Sequence, residues 1–367
     1  MHDATEPSVT DETGQQPTAA TFPLLAHLIA LLEELRARVP AALGEWEPEA
    51  IHQSRVAPRR LKAALDLMKP VLSKRPRRKL GRILRRLRRR LGPLRDADVM
   101  IDHLQDLGES SAQHAPAAAW LARRLGEERE SLRQKTSKGK RPTAVIAKLG
   151  AWEPVRLEIE TAREALDSLL AESLHLQLDA FAEQADRLCE PAADDHPAQS
   201  DGERQDPHEL RISGKALRYT LEMAAAHGHE LPGSLTKTFK KMQDALGDWH
   251  DYVVLAEHAT SAAIEEQLAH HAPDLMRDLF ELVRDILDKS KHELDDFRRR
   301  WREEGDSVAK AVRHAFPLTR TASAPTSGGN GAASDAGVSG RQTDRGPAGS
   351  APPATSEDAP PAAAGDV

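Results

Sequence analysis

The sequence carries one cysteine, Cys189, in 367 residues. An intramolecular disulfide and a multi-cysteine metal site are therefore excluded, which fits a reducing cytoplasm. Aromatic residues make up only 4%, so the core has to be built from Leu, Ala, Val and Ile. No run of 18 apolar residues occurs, so no membrane-spanning helix and no membrane partner are expected. A basic start followed by an apolar stretch, the mark of a secretory signal, is missing as well. Alternating strand patterns are absent. So are a glycine-rich phosphate loop and an acidic metal cluster, which argues against phosphate-transfer chemistry.

What is there is charge set at helical spacing. Charged residues make up 30% of the chain, and much of it repeats with a 3.6-residue period, which predicts an all-α protein. The net charge of −7 hides an uneven distribution. Residues 1–20 contribute −4, residues 189–207 contribute −5 and residues 318–367 contribute −2, so the remainder carries +4. The three acidic segments read as disordered: a tail at 1–20, an insert at 189–207 and a Gly/Ala/Pro/Ser-rich tail at 318–367.

Apolar periodicity predicts a helix from Phe22 to Val39, ended by Pro40 and Gly44. A second helix runs from Glu47 to about Leu72, with Pro58 either kinking it or separating a short entry turn. A third opens at Pro76. Asp96 or Asp98 is expected to cap a separate fourth helix, and Asp251 to cap its counterpart near the other end of the chain. Further helices are expected over 116–133, 152–188, 208–227, 251–270, 273–303 and 305–315. A basic loop at 135–143 reads as solvated.

Two stretches stand out. Residues 52–62 read HQSRVAPRRLK and residues 208–218 read HELRISGKALR. Each begins with a histidine and places cations at offsets 3, 7 and 10: His52, Arg55, Arg59 and Lys62, then His208, Arg211, Lys215 and Arg218. On an α-helix those offsets fall within an arc of about 80°, with Leu61 and Leu65, or Leu217 and Leu221, on the other side. Each stretch is a helix with an apolar back and a cationic front. A basic helix follows each. In the first, Arg82, Arg85, Arg86 and Arg89 oppose a stripe of Leu80, Leu84, Leu87 and Leu91; in the second, Lys237, Lys240 and Lys241 share a face. From 52 to 95 there are seventeen Lys and Arg against one acid, Asp66. A helix so charged repels itself, and an anion relieves that repulsion.

The pattern repeats. The histidine boxes lie 156 residues apart, and LGPLRDADVMIDHL at 91–104 returns 155 residues later as LGDWHDYVVLAEHA at 246–259. Recurrence in the same order at nearly the same offset predicts an internal duplication. The expected architecture is two pseudo-symmetric helical bundles, 21–150 and 151–317, around a basic central cavity. His103 and His258 recur beside Asp102 and Glu257 and read as structural, and Trp249 and Tyr219 as core or rim packing. No HxxxH or HxxE pattern pairs His52 or His208 locally and the cations around them repel a metal, so neither metal nor cofactor is expected.

The four boxes HQSRVAPRRLKAAL, LGPLRDADV, LRISGKALRYTLE and LGDWHDYVV together resemble the CHAD family, the conserved histidine α-helical domains, over roughly residues 22–305. The resemblance implies an all-helical duplicated domain whose basic channel binds inorganic polyphosphate. It also implies a cytoplasmic place at polyphosphate granules. Some members are fused to a triphosphate-tunnel domain; here the flanks are low-complexity. Matching positions carry the binding role to His52, Arg55, Arg59, Arg60 and Lys62, and to His208, Arg211, Lys215 and Arg218. By extension they carry it to the two basic helices, to Arg95 and to His250. Gly214 and the shorter row of cations in the second copy are departures from the first.

Polyphosphate has no bases to read, so its receptor needs many cations on a rigid surface, with Arg as a planar fork and Lys as a point charge. His52 and His208 either donate a neutral N–H or become protonated beside phosphate, in which case affinity rises below about pH 7. Binding without catalysis is the expected activity. A nucleic-acid backbone is the second choice of ligand, although no aromatics interleave the basic stripe for base stacking. An enzyme using His52 or His208 ranks third.

Overall fold

The computed structural model describes residues 22–139, 141–190, 207–229 and 231–318. The expected tails and nearly all of the expected acidic insert lie outside the described residues. The fold is all-α, with eleven α-helices and no strand among the described residues.

Helix α1 (Pro23–Pro40) buries Leu24, Leu28, Leu35 and Val39 completely, each such side chain contributing about 1.5–3 kcal/mol. Pro40 does not end the helical path. It lacks the N–H for the next ladder bond, and the chain loosens into a π-turn over Ala41–Glu45. Trp46, in the left-handed region at φ 64°, makes the stop. Its carbonyl accepts a hydrogen bond from Arg129 Nη2 at 3.3 Å. Helix α2 (Pro48–Leu67) then runs through Pro58 as one element.

Helix α3 (Lys74–Ser110) continues through Gly92 and Pro93. Asp96 and Asp98 are therefore interior positions, not N-caps. Asp98 is buried and pairs with Arg129 of α4 (Ala115–Ser137). Helix α9 (Gly233–Glu265) likewise runs straight past Asp251. The expected 152–188 helix is instead broken. It consists of a 3-10 turn at Gly150–Trp152, α6 (Glu153–Thr161), a 3-10 turn at Arg163–Ala165, and α7 (Leu166–Cys189). Helix α5 (Pro142–Leu149) precedes them, and α8 (Pro207–His227) follows the insert. The short α10 (Leu268–His271) leads into α11 (Pro273–Ala315), a single helix where two were expected. Gly305 does not interrupt α11: it makes room for the Trp301 ring, which would lie 2.7 Å from an added Cβ.

Two apolar clusters organise these helices. The larger joins α1, α2, α5 to α8, the first halves of α3 and α9, and the last turns of α11. The smaller joins the second half of α3, α4, the second half of α9, α10 and the first half of α11. Neither cluster respects a boundary at residue 150, since each draws on helices from both sides. Helices α3 and α9 pass from one cluster to the other. The handover falls between Leu94 and Met100 on α3 and between Leu246 and Leu255 on α9.

Candidate anion-binding site

A cavity of about 370 Å³ opens at that handover. Helix α2 contributes His52, Arg55, Val56 and Arg59; α3 contributes Arg95, Asp96, Val99 and Met100. Arg211 and Lys215 come from α8, and His250, Asp251 and Val254 from α9. Each polar residue is there because helical spacing keeps one face of its helix toward the cavity while the leucines of the opposite face enter the larger cluster.

Two of the five cations are held by acids. Arg55 Nη1 donates to Asp96 Oδ1 and to the Gly92 carbonyl, both at 2.8 Å. Arg211 Nη2 stands 3.9 Å from Asp251 Oδ1, an ion pair without a direct hydrogen bond. The two pairs relate α2 to α3 and α8 to α9 in the same way. Arg59, Arg95 and Lys215 have no carboxylate within ion-pair distance among the described residues.

The electrostatic consequence is clearest at Lys215. Burial first, then the charges of Arg211 and Arg59, push its ammonium down to about 7. Burial and the same neighbours act on the imidazoles. His250 is pushed down to about 4, and His52 is lowered by burial and then by Arg95. His250 is therefore neutral at pH 7 in the unliganded protein, and the lowering of His52 favours the donor alternative that the sequence leaves open for it and for His208. Arg211 is lowered too, chiefly by burial. A site in which several cations hold one another's protonation down is a site short of anions.

A family model for the CHAD domain matches residues 26–260. The chain belongs to the CHAD domain family. The matched span contains every residue lining the cavity and stops before α11. Solved structures similar to this chain include the following two. PptA from Streptomyces chartreusis is 17% identical, with 76% of this chain and 98% of that one covered and a TM-score of 0.50. The CHAD domain from the plant Ricinus communis is 21% identical, with 81% of this chain and 91% of that one covered and a TM-score of 0.49. At such identity the likeness to PptA is one of fold. No curated protein matches the chain.

Other positions expected to bind within this CHAD domain lie elsewhere. Arg60 Nε donates to Glu222 Oε2 at 2.7 Å, and Arg218 Nε to Glu222 Oε1 at 3.0 Å, so one carboxylate of α8 engages both. Lys62 pairs with Asp66 and faces a separate groove of about 500 Å³ with Arg77, Arg78, Arg82 and Arg85. Arg86 and Arg89 are exposed on α3, as are Lys237, Lys240 and Lys241 on α9. His208 stands beside the cavity, its ring 5.0 Å from that of His250. His103 packs on Tyr252, and His258 Nε2 lies 3.1 Å from Glu128 Oε2.

Arg88 is the residue that sequence reasoning passes over. Its guanidinium is half-buried beside Arg59 and Arg55, and burial followed by those two charges lowers its pKa. The signal was available: Arg88, Gly92 and Arg95 recur at offsets 0, 4 and 7, a second face of α3 beside the leucine stripe. The equivalent position 155 residues later is Gln243, buried with both side-chain polar atoms unpartnered. Gly214 is explained by the same neighbour, since a Cβ there would meet Gln243 Nε2 at 1.9 Å and Phe181 Cε2 at 2.7 Å.

Proposed function

We propose that this CHAD domain binds inorganic polyphosphate and holds the polymer without cleaving it. The observation that carries this reading is the trio Arg59, Arg95 and Lys215, three basic residues in one cavity with no carboxylate at ion-pair distance among the described residues, with Lys215 pushed down to about 7. An entering phosphate relieves their mutual repulsion, and the protein has already met the cost of gathering them. The apolar walls of Val56, Val99, Met100 and Val254 keep the local dielectric low, which strengthens each contact. Neutral His52 and His250 add N–H donors beside the cations. The cavity also lies within the size range of ligand pockets, about 300–1,000 Å³.

The resemblance that points to polyphosphate points also to granules of it as the place of action. The groove holding Arg77, Arg78, Arg82 and Arg85 offers further positive charge to a long polymer. No helix of the described residues is long and apolar enough to cross a membrane.

The test is binding of polyphosphate of defined length to the wild type and to Arg59→Ala/Lys215→Met, with released phosphate followed in the same samples, with and without Mg²⁺. Loss of affinity in the variant, no release, and retention of polyphosphate against excess DNA at fixed salt are the expected results. Unchanged affinity in the variant refutes the site. Steady release abolished by His52→Ala refutes binding without cleavage, and displacement by DNA favours a nucleic-acid partner.

A further inference from the structure

A second cluster, outside the basic cavity, is built by the end of α8 and the start of α7. Helix α8 closes in a Schellman turn. The Gly228 N–H donates to the Ala225 carbonyl at 3.1 Å and the His229 N–H to the Ala224 carbonyl at 3.0 Å. Gly228 takes φ 110°, a conformation that L side chains rarely adopt. This reversal brings two side chains, His227 and His229, to the same carboxylate. His229 Nε2 lies 3.0 Å from Asp167 Oδ1 and His227 Nε2 lies 3.4 Å from it. The three ligand atoms all fall within 4.8 Å of one another.

We propose that Asp167, His227 and His229 form a binding site for a first-row divalent metal ion of the zinc class. A tetrahedral ion with bonds of about 2.0–2.1 Å holds its ligand atoms about 3.3 Å apart, and the two distances to Asp167 bracket that value. Two imidazoles with one carboxylate suit zinc, cobalt or nickel, whereas magnesium and calcium want a shell of oxygens. The ligands are set on ordered supports. The His227 ring packs edge-on to Phe22 and the His229 ring against Phe316, whose carbonyl is held by His175 Nε2 at 2.7 Å. Asp167 is exposed, which leaves the remaining coordination position to water. Arg163 is the nearby cation acting on His227. It stacks over the Phe22 ring, 5.8 Å from the ring centre. A bound ion would tie the first turn of α7 to the last turn of α8, far along the chain from the 189–207 insert that joins their other ends.

The reading is independent of polyphosphate, and its test excludes polyphosphate because that polymer chelates metals itself. Untagged full-length chain is titrated with Zn²⁺ against a chromogenic chelator. Sixteen histidines provide background, so His229→Ala and Asp167→Asn are compared with a control, His270→Ala/His271→Ala, that removes an exposed histidine pair on α10. One tight equivalent is expected in the wild type and in the control. Affinity should fall about tenfold or more in the two site variants, whose far-UV circular dichroism confirms folding. Co²⁺ should give the intense visible absorption of tetrahedral coordination in the wild type and lose it in His229→Ala. Equal Zn²⁺ affinity in the wild type and His229→Ala, or no stoichiometric uptake by the wild type, overturns the proposal.

Discussion

Arg60 of α2 and Glu222 of α8 form a two-point ion pair, at 2.7 and 3.4 Å, across the contact between the two histidine-bearing helices. Both side chains are more than two-thirds buried, at 29% and 28% exposure. Arg60 is thereby turned from the cavity that Arg59, its neighbour in sequence, enters. Truncating Arg60 removes this charge-assisted pair and leaves the largely buried Glu222 to Arg218 alone, whose Nε stands 3.0 Å from Oε1. Arg60→Ala should therefore cost about 1–3 kcal/mol of stability, read from chemical denaturation, while polyphosphate affinity stays within about twofold. Arg59→Ala should do the reverse. An equal loss of affinity in both variants would return Arg60 to the binding set.

Lys215 makes two linked predictions. Its ammonium titrates at about 7 in the folded protein against an ordinary 10.5. Between those values the unfolded chain holds a proton that the folded chain does not, so stability rises with pH across that window. Below pH 7 the buried charge is a standing cost. Lys215→Met should raise the melting temperature at pH 6.5, and the gap to the wild type should narrow by pH 9. Anion binding acts in the other direction, because phosphate restores the ammonium. Wild-type affinity should fall as pH climbs above about 7, by at most about tenfold per unit, and Lys215→Met should be weak and lack that slope. His52 and His250, both lowered by burial and neighbouring cations, supply no charge at neutral pH in the free protein. Tighter binding just below pH 7 through His52 or His208 requires bound phosphate to raise a ring and would add to this slope, whereas the lysine sets its own dependence above about pH 7.

Helix type is legible in the sequence; helix length is not. The 3.6-residue period of Leu80, Leu84, Leu87 and Leu91 announces α3, yet Gly92, Pro93 and Asp96 read together as its end. Locally they are: interior Gly costs about 1 kcal/mol and Pro about 3. Leu91, Leu94, Met100 and Leu104 are all buried, across two apolar clusters, and that burial outweighs the local penalties. Gly247 in α9 and Gly305 in α11 mislead for the same reason. The break between α6 and α7 misleads in the opposite sense, since the stretch from Thr161 to Leu166 contains neither Gly nor Pro. Within the site, repeated spacing identifies His52, Arg55, Arg59, Arg211 and Lys215 as one set. It does not show which cations meet a carboxylate across the fold. Arg60 finds Glu222 162 positions away, and no local pattern encodes that meeting.

Gly214 is predicted to be intolerant of a methyl group. An added Cβ would stand 1.9 Å from Gln243 Nε2 and 2.7 Å from the Phe181 ring. Gln243 can withdraw, but Phe181 is fully buried and packs edge-on against Phe239, Phe297 and Trp301. Gly214→Ala should cost about 1–3 kcal/mol, read as a lowered melting temperature. Gly214→Ala/Gln243→Ala should not restore it, because the ring contact persists. Full recovery in the double variant would place the clash on Gln243 alone.

Salt dependence separates the cations that meet phosphate from those that only line the cavity. Each cation that neutralises a phosphate releases condensed counterions, and the logarithm of affinity then falls with the logarithm of salt by about 0.7 per contact on a single-stranded polyanion. Arg59 and Arg95 have no carboxylate within ion-pair distance among the described residues and exchange counterions for phosphate directly. Arg55 is already neutralised by Asp96 at 2.8 Å, so it has little counterion to release. Arg59→Ala and Arg95→Ala should each flatten the salt slope by about 0.7. Arg55→Ala should lower affinity, because it leaves Asp96 unpaired at the cavity wall, and should hardly change the slope. Titrations of one defined polyphosphate length at four salt concentrations give the slopes. An equal flattening by all three variants would show that the Arg55–Asp96 pair opens when the polymer binds.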